Sequence, residues 1–277
     1  MAKPRALVLT GYGINCDYET ARACEQAGFE ARRVHLSDAL EEAGSLLDYR
    51  LLVFPGGFSF GDDLGSGVAF SSKIRFSPAA AGGRLYDYLA EFVERDGLVL
   101  GICNGFQILV RLGLIPAAAG GYGRQQVTLA PNRAGYFIDR WVELTTLSDS
   151  PCIFTRGLGR IRLPVRHGEG QLLIPKDGPG LGLIEREGLA PLRYCDESGR
   201  PTQVFPRNPN GSTAAIAGIC DTSGRIFGLM PHPEAAVSLY QYPDWTGMRE
   251  RARRAGRDVS ERGDGLRLFE NAIDYVR

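Results

Sequence analysis

The residue with the most chemical potential is Cys103, in the run Val99-Leu100-Gly101-Ile102-Cys103-Asn104-Gly105-Phe106-Gln107. A short apolar strand delivers the cysteine to a sharp turn, and a helix leaves directly from it. Gly101 and Gly105 stand two residues to either side, where side chains would crowd the bend. This is the cysteine counterpart of the G-x-S-x-G nucleophile elbow. The helix start beneath the sulfur favours a thiolate through its unpaired N–H groups and dipole. A buried cysteine with no chemistry is the common alternative. The strand, the helix and the flanking glycines together weigh against it.

A thiolate nucleophile needs a base, and the chain has only three histidines. His232 lies in Leu229-Met230-Pro231-His232-Pro233-Glu234, with a proline fixing the backbone on each side. Glu234, two residues on, can reach back to orient the imidazole and stabilise its cation. His232 can then pair with Cys103 and protonate a leaving amine. His35 follows a strand, precedes a helix capped at Ser37, and reads as structural. His167, in His167-Gly168-Glu169-Gly170, reads equally well as a turn or as a functional loop. Acyl transfer also needs donors for an oxyanion. The N–H groups of Gly57, in Pro55-Gly56-Gly57-Phe58-Ser59, and of Asn104 are the natural pair. The Gly-Gly step lets the main chain approach a ligand closely.

The elements that must position these groups alternate. Strands are predicted at 5–10, 29–34, 51–54 and 98–102, with helices from Asn15 or Asp17 to Gly28, over 85–95 and over 104–112. That order indicates an α/β domain with a mostly parallel sheet. Beyond residue 120 the texture changes. Short strands at 137–144, 161–165, 202–205 and 214–219 predict antiparallel additions, and 263–276 reads as a terminal helix with apolar Leu266, Phe269, Ile273 and Val276. No linker or repeat interrupts residues 1–277, so one domain is expected, carrying a C-terminal extension from about 236.

Taken together the motifs resemble the class I (triad) glutamine amidotransferases. The pieces are Gly13-Ile14-Asn15-Cys16-Asp17, Pro55-Gly56-Gly57-Phe58-Ser59-Phe60-Gly61-Asp62, the Cys103 elbow, His167-Gly168-Glu169-Gly170, Asn208-Pro209-Asn210-Gly211-Ser212 and Met230-Pro231-His232-Pro233-Glu234. In this order they are similar to the glutaminase components of phosphoribosylformylglycinamidine synthases. The resemblance implies a flavodoxin-like sheet flanked by helices, and hydrolysis of L-glutamine by Cys103, His232 and Glu234. It also implies that Phe58, Gln107 and the segment from Asn132 to Phe137 hold the glutamine. The ammonia would pass to a partner synthetase in de novo purine synthesis, with or without a small accessory subunit. ATP and magnesium would belong to that partner, with no cofactor and no metal on this chain. Typical free-standing subunits end soon after the Pro-His-Pro-Glu segment. The extension here, with Tyr240, Tyr242 and Trp245, looks more like the glutaminase end of the large single-chain synthases. Those aromatics either anchor a partner or pack on their own chain.

Composition narrows the alternatives. Of 277 residues, 44% are apolar and 23% charged, and 32 basic side chains balance 32 acidic ones. Such a surface has no field to draw in nucleic acid or an anionic membrane. The basic stretch from Arg249 to Arg257 reads as a solvated helix face. Six cysteines with no C-x-x-C pair argue against a zinc ribbon or a dithiol centre, and a reducing cytoplasm fits them. No apolar run is long enough for a membrane span. The chain has no G-x-x-x-x-G-K-[ST] phosphate loop, so any ATP-dependent step falls to another polypeptide. Two other readings remain open at this point: a different class I amidotransferase or an elbow-bearing relative, and a non-catalytic interaction subunit.

Overall fold

A computed structural model describes residues 2–176 and 178–277. The described residues form eleven strands: β1 (Arg5–Thr10), β2 (Glu30–His35), β3 (Leu51–Phe54), β4 (Leu98–Ile102), β5 (Thr128–Pro131), β6 (Ile138–Thr146), β7 (Arg160–His167), β8 (Glu169–Leu173), β9 (Leu192–Tyr194), β10 (Ile216–Cys220) and β11 (Ile226–Leu229). Nine of them make one sheet in the order β2-β1-β3-β4-β11-β10-β9-β6-β7, and β5 pairs with β8 apart from it. β2, β1, β3, β4 and β11 run parallel, and β10, β9, β6 and β7 extend the sheet by antiparallel pairs. The change of texture near residue 120 is this change from parallel to antiparallel pairing. β3, β4 and β11 are buried along their whole length, as strands covered on both faces must be.

The helices are α1 (Asp17–Ala27), α2 (Leu36–Glu41), α3 (Val68–Phe76), α4 (Leu85–Glu94), α5 (Asn104–Arg111), α6 (Leu181–Arg186), α7 (Trp245–Arg254) and α8 (Leu266–Val276). α5 sits entirely in the core except for Arg111. α8 buries Leu266, Leu268, Phe269 and Ile273. α7 buries none of its residues, in keeping with a solvated basic face. None of the helices is long and apolar enough to cross a membrane among the described residues.

Three local expectations are corrected. Neither Asn15 nor Asp17 caps α1: Cys16 occupies the cap, and no side chain closes it. The N–H groups of Asn15 and Cys16 instead both donate to the Gly56 carbonyl, while Asp17 pairs with Arg33 at 2.8 Å. Ser37 does not cap α2; His35 does, its Nδ1 accepting from the Ser37 N–H. Residues 202–205 form no strand. After Thr202 donates to Tyr194, the chain turns, and both Arg207 and Asn208 donate back to the Val204 carbonyl. Asn208 then binds Gly211 and Ser212 through its side chain. Local Asn and Ser hydrogen bonds win over strand pairing there.

Candidate active site

Cys103 follows β4 and precedes α5 with φ 52° and ψ −104°, a positive-φ conformation that a non-glycine residue rarely adopts. The glycines make it feasible. A Cβ at Gly105 would lie 1.8 Å from the Phe54 carbonyl oxygen, and one at Gly101 would lie 2.8 Å from the Gly105 backbone. The strand and the helix can cross this closely only without those side chains. The sulfur is buried and lies 3.7 Å from the Arg166 carbonyl oxygen, at the end of β7.

His232 reaches the same point from the segment that follows β11, the parallel neighbour of β4. Its N–H donates to Pro164 on β7 at 2.8 Å, which pins the Pro-His-Pro turn to the antiparallel half of the sheet. Its Nδ1 lies 2.5 Å from Glu234 Oε1, and both side chains are buried. Burial alone would lower the imidazole pKa. Glu234 and then Cys103 outweigh it, and His232 is raised well above its usual value. Nε2 makes no hydrogen bond of ordinary geometry, so it stays available beside the thiol. His167 shows the opposite balance. Burial, and then the charge of His232, lower its pKa to about 3. Its Nδ1 faces Asn132 Oδ1 at 2.9 Å, and Asn132 also donates to the His167 and Tyr136 carbonyls. His167 therefore braces the loop that carries Tyr136 and Phe137.

Gly57 has φ 152° and forms an antiparallel bridge with Ile14. Its N–H donates to no carbonyl among the described residues. Asn104 is the first residue of α5, so its N–H has no intrahelical acceptor. Phe58 and Phe137 are half exposed, with ring centroids 6.2 Å apart, on one rim of the site. Gln107 is differently placed. Its amide donates to the Glu169 carbonyl at 2.6 Å and accepts from Asn104 at 2.9 Å, so it ties α5 to β8.

Residues 3–276 match the CobB/CobQ-like glutamine amidotransferase domain. The chain belongs to that family. The amidotransferase is 40% identical over 274 residues to a phosphoribosylformylglycinamidine synthase subunit PurQ from Methanococcus maripaludis (strain S2), covering 98% of this chain and 97% of that one. It is 39% identical over 277 residues to the PurQ subunit of Dehalococcoides mccartyi, covering 100% and 99%. It is also 36% identical over 281 residues to a probable phosphoribosylformylglycinamidine synthase, chloroplastic/mitochondrial, from Arabidopsis thaliana, covering 99% of this chain and 19% of that protein. Among solved structures it resembles a chain of PurLQS from Thermotoga maritima, with a TM-score of 0.69 and 30% identity over the whole of both chains. The full-length PurQ matches correct one expectation: free-standing subunits of this length, extension included, do occur.

Sequence reasoning assigned no role to Cys16, which the fold puts against His232. A Cβ on Gly56 would lie 2.7 Å from the His232 ring and 3.2 Å from Cys16 Sγ. The signal was available in the Asn-Cys-Asp segment that follows β1 and in the first of the paired glycines. Sequence reasoning also passed over Asp62, Ser66 and Arg111. They link to Glu169 through the Ser66 N–H and to α5 through the Arg111–Ser66 bond.

Proposed function

We propose that this amidotransferase is the glutaminase of a phosphoribosylformylglycinamidine synthase. It hydrolyses L-glutamine to L-glutamate and hands the ammonia to a separate synthetase subunit in purine synthesis. The Cys103 thiolate attacks the carboxamide carbon, and the oxyanion that develops is received by the N–H groups of Gly57 and Asn104. The C–N bond breaks as His232 gives its proton to the departing ammonia, leaving a glutamyl thioester on Cys103. His232 then takes a proton from water, which attacks the thioester and returns the thiolate. Glu234 holds the ring and balances its charge throughout.

The carrying observation is the convergence of a strained thiol and a buried imidazole–carboxylate pair on one point between β4, α5 and β7. The exposed rings of Phe58 and Phe137 frame the entrance for glutamine, and Gln107 fixes the wall behind it. ATP and magnesium act on the synthetase, and this chain needs neither for its own step. Six buried, unpaired thiols suit a cytoplasmic enzyme.

The test is reconstitution. The chain is mixed with the synthetase, formylglycinamide ribonucleotide, ATP, magnesium and glutamine, and amidine and glutamate are measured together. Stoichiometric glutamate and amidine are expected, with glutaminase turnover at least about tenfold above that of the isolated chain. Glutamine hydrolysis that stays the same with and without the synthetase, with no amidine formed, would reject this acceptor.

A further inference from the structure

Cys16 is the one thiol that the glutaminase chemistry leaves unused beside the base. It enters from the start of α1, held where its N–H and that of Asn15 share the Gly56 carbonyl. The bare Cα of Gly56 leaves room for the sulfur and the imidazole on the same side. One ligand atom each from Cys16, His232 and Glu234 lies within 4.8 Å of the other two. All three residues are buried, Glu234 at 0% and His232 at 2% exposure. Glu234 Oε2 has no hydrogen-bond partner among the described residues, although it is buried. Buried polar atoms without partners normally have an explanation.

Thiolate, imidazole and carboxylate are each donors to zinc, which binds sulfur at about 2.3 Å and nitrogen or oxygen at about 2.0–2.2 Å. We infer that Cys16, His232 and Glu234 form an inhibitory site for a thiophilic divalent cation, with zinc as the natural occupant. The resemblance implies no metal on this chain, and the cysteine spacings argue only against a zinc ribbon or dithiol centre. These ligands come from opposite ends of the chain, which spacing cannot reveal. Binding places the metal on His232 Nδ1 and releases both the Cys16 thiol proton and the Nδ1 proton to solvent. The cation sits between Nδ1 and Glu234, taking the carboxylate as a ligand in place of its hydrogen bond to the ring, and the remaining ring proton stays on Nε2. With one ring nitrogen metallated and the other protonated the base is lost, and a soft cation shuts the glutaminase off reversibly. The inhibition rests on the glutaminase reading, whereas the binding does not.

The binding is therefore tested without turnover. Cobalt(II) is titrated into the Cys103→Ser chain, which keeps the three proposed ligands and lacks the nucleophilic thiol. One cobalt per chain with thiolate-to-cobalt absorption is expected, and adding Cys16→Ser should remove that absorption. Glu234→Gln in the Cys103→Ser chain should weaken cobalt binding at least tenfold, which serves if the Cys16 variant fails to fold. In the catalytically intact chain, Cys16→Ser should raise the zinc concentration for half-inhibition at least tenfold relative to that variant's own metal-free rate. Absence of thiolate absorption in Cys103→Ser, its persistence after Cys16→Ser, or unchanged cobalt affinity after Glu234→Gln would overturn the site. Metal-free glutamine turnover would still stand as the separate test of the glutaminase reading.

Discussion

At the scale of single residues, two buried histidines are driven in opposite directions by their neighbours. His232 gains a carboxylate 2.5 Å away and an adjacent thiol, and its cation is favoured. Its contribution to stability is full below the unfolded pKa and is lost as pH rises through the raised folded value. Glu234→Gln keeps a hydrogen-bonding partner but removes the charge. We expect kcat for glutamate release to fall by ~10²–10⁴ with KM within about threefold, because the charge matters when the imidazolium forms. An unchanged kcat would show that Glu234 has no part in the chemistry. His167 is held neutral, with its pKa lowered to about 3. As pH falls below the unfolded value near 6.5, the unfolded chain takes up a proton that the fold refuses. This residue should therefore cost about 2 kcal/mol at pH 5. Urea melts between pH 7 and pH 4.5 should show that slope in the parent chain and a shallower one in His167→Gln. Equal slopes would contradict the assignment.

At the scale of elements, the site depends on glycines that let segments cross. Gly265 precedes α8, and a Cβ there would lie 2.0 Å from the Pro233 carbonyl oxygen, next to Glu234. Gly263 is equally tight against Ala236, and the Gly265 N–H donates to the Ala236 carbonyl. The C-terminal extension thus clamps the turn that carries the base. Gly265→Ala should lower kcat at least about tenfold and cost ~1–3 kcal/mol of stability from overpacking. Gly182→Ala, inside α6 with nothing within 4 Å, should leave kcat within error and raise stability by up to about 1 kcal/mol. Equal behaviour of the two variants would remove the clamp. Much of this frame was legible in the sequence. β1, β3 and β4 announce themselves as short apolar runs ended by glycine or cysteine turns, and the elbow names its own neighbours. Less legible was what depends on distant partners. Cys16 caps α1 because of a carbonyl on the next strand's loop. Residues 202–205 look like a strand until Asn208 and Ser212 bond locally. The seat of His232 on Pro164 joins segments that no local pattern connects.

At the scale of the whole molecule, the sheet divides the labour. Its parallel half delivers Cys103 from β4 and the Gly57 N–H from the loop after β3. Its antiparallel half supplies Arg166, Pro164 and the His167 loop that close over them. The extension packs back on its own chain: Tyr242 is buried and stacks near Trp141 at 4.7 Å, and α8 lies in the core. α7 alone stays in solvent, its arginines paired in part with Glu250. The central claim, that a thiol after β4 and an imidazole and a carboxylate after its parallel neighbour β11 act as one glutaminase, is tested most directly by trapping its intermediate. The chain is mixed with glutamine, with and without the synthetase, quenched in acid within the first turnovers, and digested for mass spectrometry. A glutamyl group on the peptide containing Cys103, absent in Cys103→Ala, is the expected result. Glutamine turnover with that peptide unmodified, or with the glutamyl group on another cysteine, would contradict the account.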